Sequence, residues 1–103
     1  MRTKRLLLFH PPAEANRNIF LFDHGENARK CLDWLEHVTR LAPESGERIE
    51  SQRFVLTVEV DTSGGTFLCR AVYIFNDTNV KWLTFNYEFF PANSDPMHFN
   101  PLT

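Results

Sequence analysis

The sequence has no long hydrophobic run, few glycines, few cysteines and no surplus of positive charge. The longest apolar stretch near the start, Leu6-Leu7-Leu8-Phe9, follows a basic N-terminus but is far too short for a signal peptide or a membrane span. A net charge of -2 is the wrong sign for a general electrostatic grip on nucleic acid. Two cysteines, Cys31 and Cys69, are too few for a disulfide scaffold. Both sit among apolar neighbours, which points to buried free thiols and a reducing, cytoplasmic setting, with a disulfide as the alternative. The histidines, His10, His24, His37 and His98, show no metal-ligand spacing to one another or to cysteine, so no metal and no cofactor is expected. Ser63 lies in Ser-Gly-Gly, which a turn explains better than a nucleophile elbow, and Gly64-Gly65 lacks the strand-loop-helix context of a phosphate loop. Asp23-His24 could form an acid-base pair, although a turn between helices accounts for the same residues.

What the chain does have is aromatic residues and alternation. In 103 residues there are 10 phenylalanines, and 43% of the chain is hydrophobic, enough for one folded domain. That domain is expected over residues 1–90, followed by a proline-containing extension over 91–103 with Pro96, Met97, Phe99 and Pro101. Lys4 to His10 reads as a strand, halted by Pro11 and Pro12. Pro12 to about Phe22 reads as a helix with Ala15, Ile19 and Phe22 on its apolar stripe; a strand over Asn18 to Phe22 is the rival. Glu26 to Leu41 is the clearest helix, with Ala28, Cys31, Leu32, Leu35, Val38 and Leu41 on one face and Trp34 at its rim. On its wet side Glu26 can reach Lys30, and Glu36 can reach Arg40. Pro43 and Gly46 end it, and a polar link follows.

Three strands then run from Arg53 to Phe90. Phe54, Leu56, Val58 and Val60 alternate with Arg53, Val55, Thr57 and Glu59. A glycine turn at Thr62 to Gly65, with Asp61 opposite Thr66, puts Phe67, Cys69, Ala71, Tyr73 and Phe75 on the same face. The third strand has Leu83, Phe85, Tyr87 and Phe89 in one phase. These join the common face only if the turn around Asp77 to Asn79 shifts the parity by one residue. The expected fold is therefore α+β, an antiparallel sheet of three or four strands with one or two helices on one face.

This register predicts what the other face carries. Thr57, Glu59, Arg70, Asn86 and Glu88 gather at its centre, with Val55, Val72, Ile74 and Trp82 toward one end. Arg70 has Glu59 and Glu88 as diagonal neighbours. Such a set is either a cross-strand charge ladder that keeps a bare sheet soluble or a protein-binding surface with Trp82 as an exposed anchor. The candidate binding residues are Arg70, Glu59, Glu88, Trp82, Asn86 and Thr57, and no catalytic residue is assigned.

The layout resembles the RelE/ParE superfamily of type II toxins. His10 to Ala42 is similar to that family's N-terminal helical hairpin. Phe54 to Val60, followed by Gly64 to Phe75, is similar to its paired strands, where a glycine turn precedes Arg-x-x-Tyr; here that pair is Arg70 and Tyr73. The resemblance implies either a ParE-like inhibitor of DNA gyrase or a RelE-like ribosome-dependent endoribonuclease, and a cognate antitoxin as partner. In the nuclease version Arg70 would stabilise the transition state, with Tyr73 or Tyr87 nearby. The last strand departs from the family: it runs Tyr87-Glu88-Phe89-Phe90, acidic and aromatic where the family is commonly basic, whereas RNA cleavage needs cations at the scissile phosphate. The expected function is a non-enzymatic inhibitor or regulator of a larger bacterial or phage machine, such as a ParE-like toxin or a phage anti-defence inhibitor. The expected partner is a protein, with a homodimer as a further option.

Overall fold

The computed structural model describes residues 4–92. The 93–103 part of the expected extension lies outside the described residues; Pro91 itself closes the last strand. In chain order the elements are β1 (Leu6–Phe9), α1 (Pro11–Leu41), a 3-10 turn (Pro43–Ser45), β2 (Glu47–Glu50), β3 (Arg53–Thr62), β4 (Gly65–Phe75) and β5 (Asn79–Pro91). They form an α+β fold of two layers. One layer is a five-stranded sheet in the order β1-β5-β4-β3-β2, and the other is α1, which packs on one sheet face.

The sheet is larger than the expected antiparallel three or four strands, and it is mixed. β2, β3, β4 and β5 are antiparallel, whereas β1 pairs in parallel with β5, Leu7 opposite Val80 and Phe9 opposite Trp82. β2 lies in what reads as a polar link. Its sequence, Glu-Arg-Ile-Glu, is exposed at all four positions, so no burial periodicity marks it. An edge strand of this kind is charged, which discourages further pairing along its open edge.

α1 runs as one helical element, interrupted at Gly25. There φ is 51° and ψ is -122°, a backbone conformation open essentially to glycine alone. The helical reading of residues 18–22 holds, but its apolar stripe does not. Ala15, Ile19 and Phe22 face solvent, Phe22 at 90% exposure, while Ala13 and Phe20 are fully buried. Two stripes competed here. The one that faces the sheet carries polar residues whose needs the fold meets: Asn16 donates to the Phe85 carbonyl at 2.9 Å, and Arg17 pairs with Glu36 at 2.7 Å. Glu36 thus takes Arg17 as its partner instead of Arg40, whose guanidinium donates to the Arg5 carbonyl at 2.8 Å. Phe20 packs against Phe67, Phe85 and Tyr87, and His24 closes the same aromatic patch against Phe67 and Phe89. Beyond Gly25 the expected face holds: Ala28, Cys31, Leu32 and Leu35 are buried, and Trp34 is 55% exposed.

The β3–β4 hairpin has the expected register, with Asp61 opposite Thr66 and Thr62 opposite Gly65. At Gly65 φ is 146°, and a Cβ there would run into the Phe90 carbonyl of the neighbouring strand, so only glycine fits.

The parity shift needed by β5 comes from a different device. The turn pairs Phe75 with Val80 and Tyr73 with Trp82, which alone would leave Phe85, Tyr87 and Phe89 facing water. The register then slips by one residue between Val72 and Tyr73: Thr84 pairs with Val72, and Leu83 has no partner on β4. This β-bulge restores the phase, so Ala71 faces Phe85, Cys69 faces Tyr87 and Phe67 faces Phe89. Trp82, on the turn side of the bulge, faces inward because its partner on β4 is the buried Tyr73. The expectation of an exposed Trp82 is therefore corrected: the indole is fully buried, its Nε1-H donates to the Thr39 hydroxyl at 3.2 Å, and Phe9 meets it edge-on. Thr39 passes the bond on to the Leu35 carbonyl at 3.0 Å, so neither buried polar group is left unsatisfied. Leu83, expected inward, is the bulged residue instead.

Cys31 and Cys69 are buried free thiols that face each other across the helix–sheet interface. Burial pushes the Cys69 thiol up from 9.0 to about 12, and the neighbouring Cys31 adds to the rise. Cys31 is raised by burial too, partly offset by its hydrogen bond with Cys69. Burial likewise pushes the Tyr73 phenol up from 10.0 to about 12; its hydroxyl donates to the Pro43 carbonyl at 2.5 Å. In the folded protein these groups keep their protons to higher pH than in the unfolded chain. Their contribution to stability is thus complete below about pH 9 and is lost progressively as pH climbs toward about 12. Urea unfolding midpoints should fall steadily above about pH 9, with Cys69→Ala flattening the first part of the decline. A midpoint unchanged up to about pH 11 would contradict the burial of these groups.

Candidate functional site

α1 covers one face of the sheet only, and the opposite face is where the polar residues converge. The strand register arranges that face in rows across β3, β4 and β5. From one end the rows are Asp61, Thr66 and Phe90; Glu59, Leu68 and Glu88; Thr57, Arg70 and Asn86; then Val55, Val72 and Thr84. Ile74 and Lys81 make the last row, which Leu8 of β1 extends on one side, while Arg53, one residue before Phe54, continues it on the other.

Five of the six residues singled out from the sequence come together here. Thr57, Glu59, Arg70, Asn86 and Glu88 are all exposed on adjoining positions of three neighbouring strands. Trp82, the sixth, lies in the core on the other side of the sheet. The charge ladder is not closed by contact. Arg70 Nε donates to the Thr57 hydroxyl at 3.3 Å, and among the described residues no ion pair links Arg70 to Glu59 or Glu88. A guanidinium bound only to a neutral hydroxyl, with two carboxylates on diagonal positions, keeps most of its donors for a partner.

A hollow of about 360 Å³ opens at the far end of this face. Leu8, Ile74 and Phe75 supply its apolar lining, with Lys81 and Gln52 among its polar residues. The turn beneath it is held by its own hydrogen bonds. The Asn76 side chain accepts from the backbone N-H groups of Thr78 and Asn79 at 2.9 and 2.8 Å, and Arg5 donates to the Asn76 carbonyl at 2.6 Å. Sequence reasoning found Ile74 but missed Leu8 and Lys81. The β1–β5 contact that assembles this end is parallel and joins residues far apart in the chain, Leu8 with Lys81, and no turn motif announces such a pairing.

The tyrosines do not accompany Arg70. Tyr73 is buried on the helix side of the sheet. Tyr87 also points that way, its hydroxyl donating to Asp23 at 3.3 Å; burial and the Asp23 carboxylate raise its pKa. Asp23 and His24 thus belong to α1 and its aromatic contacts with the sheet instead of to a turn.

Among the described residues no cluster of His, Cys, Asp or Glu is arranged to hold a metal ion, and no helix is long and apolar enough to cross a membrane. No family model, no curated protein and no solved structure matches the chain.

Proposed function

We propose that this chain is a small, non-enzymatic protein-binding module that inhibits or regulates a larger bacterial or phage machine by occupying part of its surface. A ParE-like toxin and a phage anti-defence inhibitor are two forms of the same reading. The observation that carries it is the uncovered sheet face. There Arg70 and two carboxylates, with no ion pair between them among the described residues, stand beside Val55, Val72, Ile74 and Leu8. A desolvable apolar patch next to an arginine with free donors is the composition of an interface centre. The RelE-like endoribonuclease reading finds less support. Its tyrosines would have to work beside Arg70, yet both lie on the helix side of the sheet.

The reading is tested by isolating a stoichiometric complex from bacterial lysate and measuring its affinity with Arg70→Glu. The substitution should weaken the complex by about 2 kcal/mol. Stability should change by no more than about 0.5 kcal/mol, since Arg70 is exposed and makes one weak hydrogen bond. Full affinity in Arg70→Glu would remove the sheet face as the site. Ribosome-dependent mRNA cleavage that disappears in Arg70→Ala would favour the nuclease instead.

A further inference from the structure

The uncovered sheet face holds two features that fit each other. One is Leu68, flanked in its row by Glu59 and Glu88. The other is the hollow over Ile74, lined by Lys81 on β5; Arg53 stands nearby at the start of β3, its guanidinium 3.8 Å from the exposed Glu50 carboxylate. Leu68 and Ile74 lie on the same strand, six residues or about 20 Å apart. An apolar side chain between two carboxylates is thus matched by an apolar floor between two cations. We propose that this face binds a second copy of the chain, face to face about a two-fold axis that crosses β4 near Ala71. The proposal rests on the protein-binding reading of the face, and it names the occupant in the absence of any other protein.

The charge pattern selects the axis. A two-fold running across the strands, in the plane between the sheets, keeps β3 over β3 and β5 over β5 but reverses their direction. Glu59 then meets the second copy's Arg53, Glu88 meets its Lys81, and Leu68 enters its hollow. A two-fold running along the strands would instead set Glu59 over Glu88 and Arg53 over Lys81, like charge on like, which is unfavourable at both ends. In the favoured arrangement the Arg70 stem lies over Val72, while the guanidinium can stay with Thr57. Two sheets in this relation pack as an aligned sandwich, a stable geometry for twisted sheets. β3, β4 and β5, about 4.8 Å apart and about 30 Å long, with the four-residue β1 and β2 at the edges, give a face of about 550 Å², at the small end of specific interfaces and below the roughly 800 Å² per partner of a standard one.

Sedimentation velocity on the purified chain tests this directly, with Lys81→Glu and Glu88→Lys as variants. Both positions are on the surface, so circular dichroism should be unchanged. The wild type should sediment at twice the 12.1 kDa chain mass. Each variant alone should dissociate about a hundredfold more readily, because symmetry makes every reversal count twice. Mixed in equal amounts, the two variants should recover the dimer. Glu88, kept in the first variant, then meets Lys81, kept in the second, and the two introduced side chains, one acidic and one basic, meet each other. A monomeric wild type, dimers that survive either single reversal, or variants that stay apart when mixed would each overturn the proposal. A monomer whose binding to another protein depends on Arg70 would overturn the dimer and leave the protein-binding reading standing. A dimer that binds nothing else would do the reverse.

Discussion

Truncation of Trp82 to alanine should unfold the domain. Trp82 is completely buried, lies edge-on to Phe9 at 5.4 Å, is stacked on Phe85 at 5.7 Å, and is hydrogen-bonded to Thr39. It ties together β1, β5 and the C-terminal part of α1. Removing a buried indole costs about 3–5 kcal/mol through lost burial and the cavity left behind. Domains of this size have about 5–15 kcal/mol in total, so the variant should melt far below the wild type or not fold. Trp82→Phe keeps most of the volume and should cost less, about 1–3 kcal/mol, chiefly through the lost bond to Thr39 and a smaller cavity. Thermal unfolding followed by circular dichroism separates these outcomes. An alanine variant with unaltered melting would mean that the indole is not in the core.

Deleting one residue from β5 should cost far more at Asn86 than at Leu83, three positions away. Leu83 is the bulged residue, and without it Val80, Trp82, Phe85, Tyr87 and Phe89 follow a strict two-residue alternation. The Leu83 deletion should therefore fold, at a cost of about 1–2 kcal/mol for the lost leucine contacts and local rearrangement. Deleting Asn86 leaves the bulge in place and puts Tyr87 and Phe89 out of phase with Phe85. Either that pair or the Val80, Trp82 and Phe85 set must then turn to water, a loss of about 3–6 kcal/mol at 1.5–3 kcal/mol per large side chain. Urea unfolding of the two deletion variants reads the difference directly. Equal damage from both would show that the bulge does not set the phase of the strand.

The sequence revealed what local pattern controls. The β3–β4 hairpin, the helix from Glu26 to Leu41 and the inward Phe85, Tyr87 and Phe89 all follow from periodicity, because burying one face enforces it. Five of the proposed binding residues share a face for the same reason. What stayed hidden depends on contacts distant in sequence or on one irregular residue. The bulge at Leu83 carries no signal in Val-Lys-Trp-Leu-Thr-Phe, where Trp82 and Leu83 are adjacent and either can be the inward residue, so simple alternation back from Phe85 puts Trp82 in the wrong phase. The first part of α1 offers two stripes, and the buried one includes Asn16 and Arg17, whose partners Phe85 and Glu36 come from elsewhere in the fold. β2 is short, charged and fully exposed, and only its pairing with β3 makes it a strand.

The sidedness of the sheet underlies both the candidate site and the core, and the two indole N-H groups report on it most directly. Hydrogen exchange by NMR should show one slow indole signal, Trp82, with nuclear Overhauser contacts to the Thr39 methyl group. The other, Trp34, should exchange freely, as its 55% exposure requires. If the Trp82 indole exchanged as fast as that of Trp34 and showed no contact with Thr39, β5 would be in the opposite phase before the bulge: Trp82 would stand on the open face, and Lys81 would leave it for the helix side.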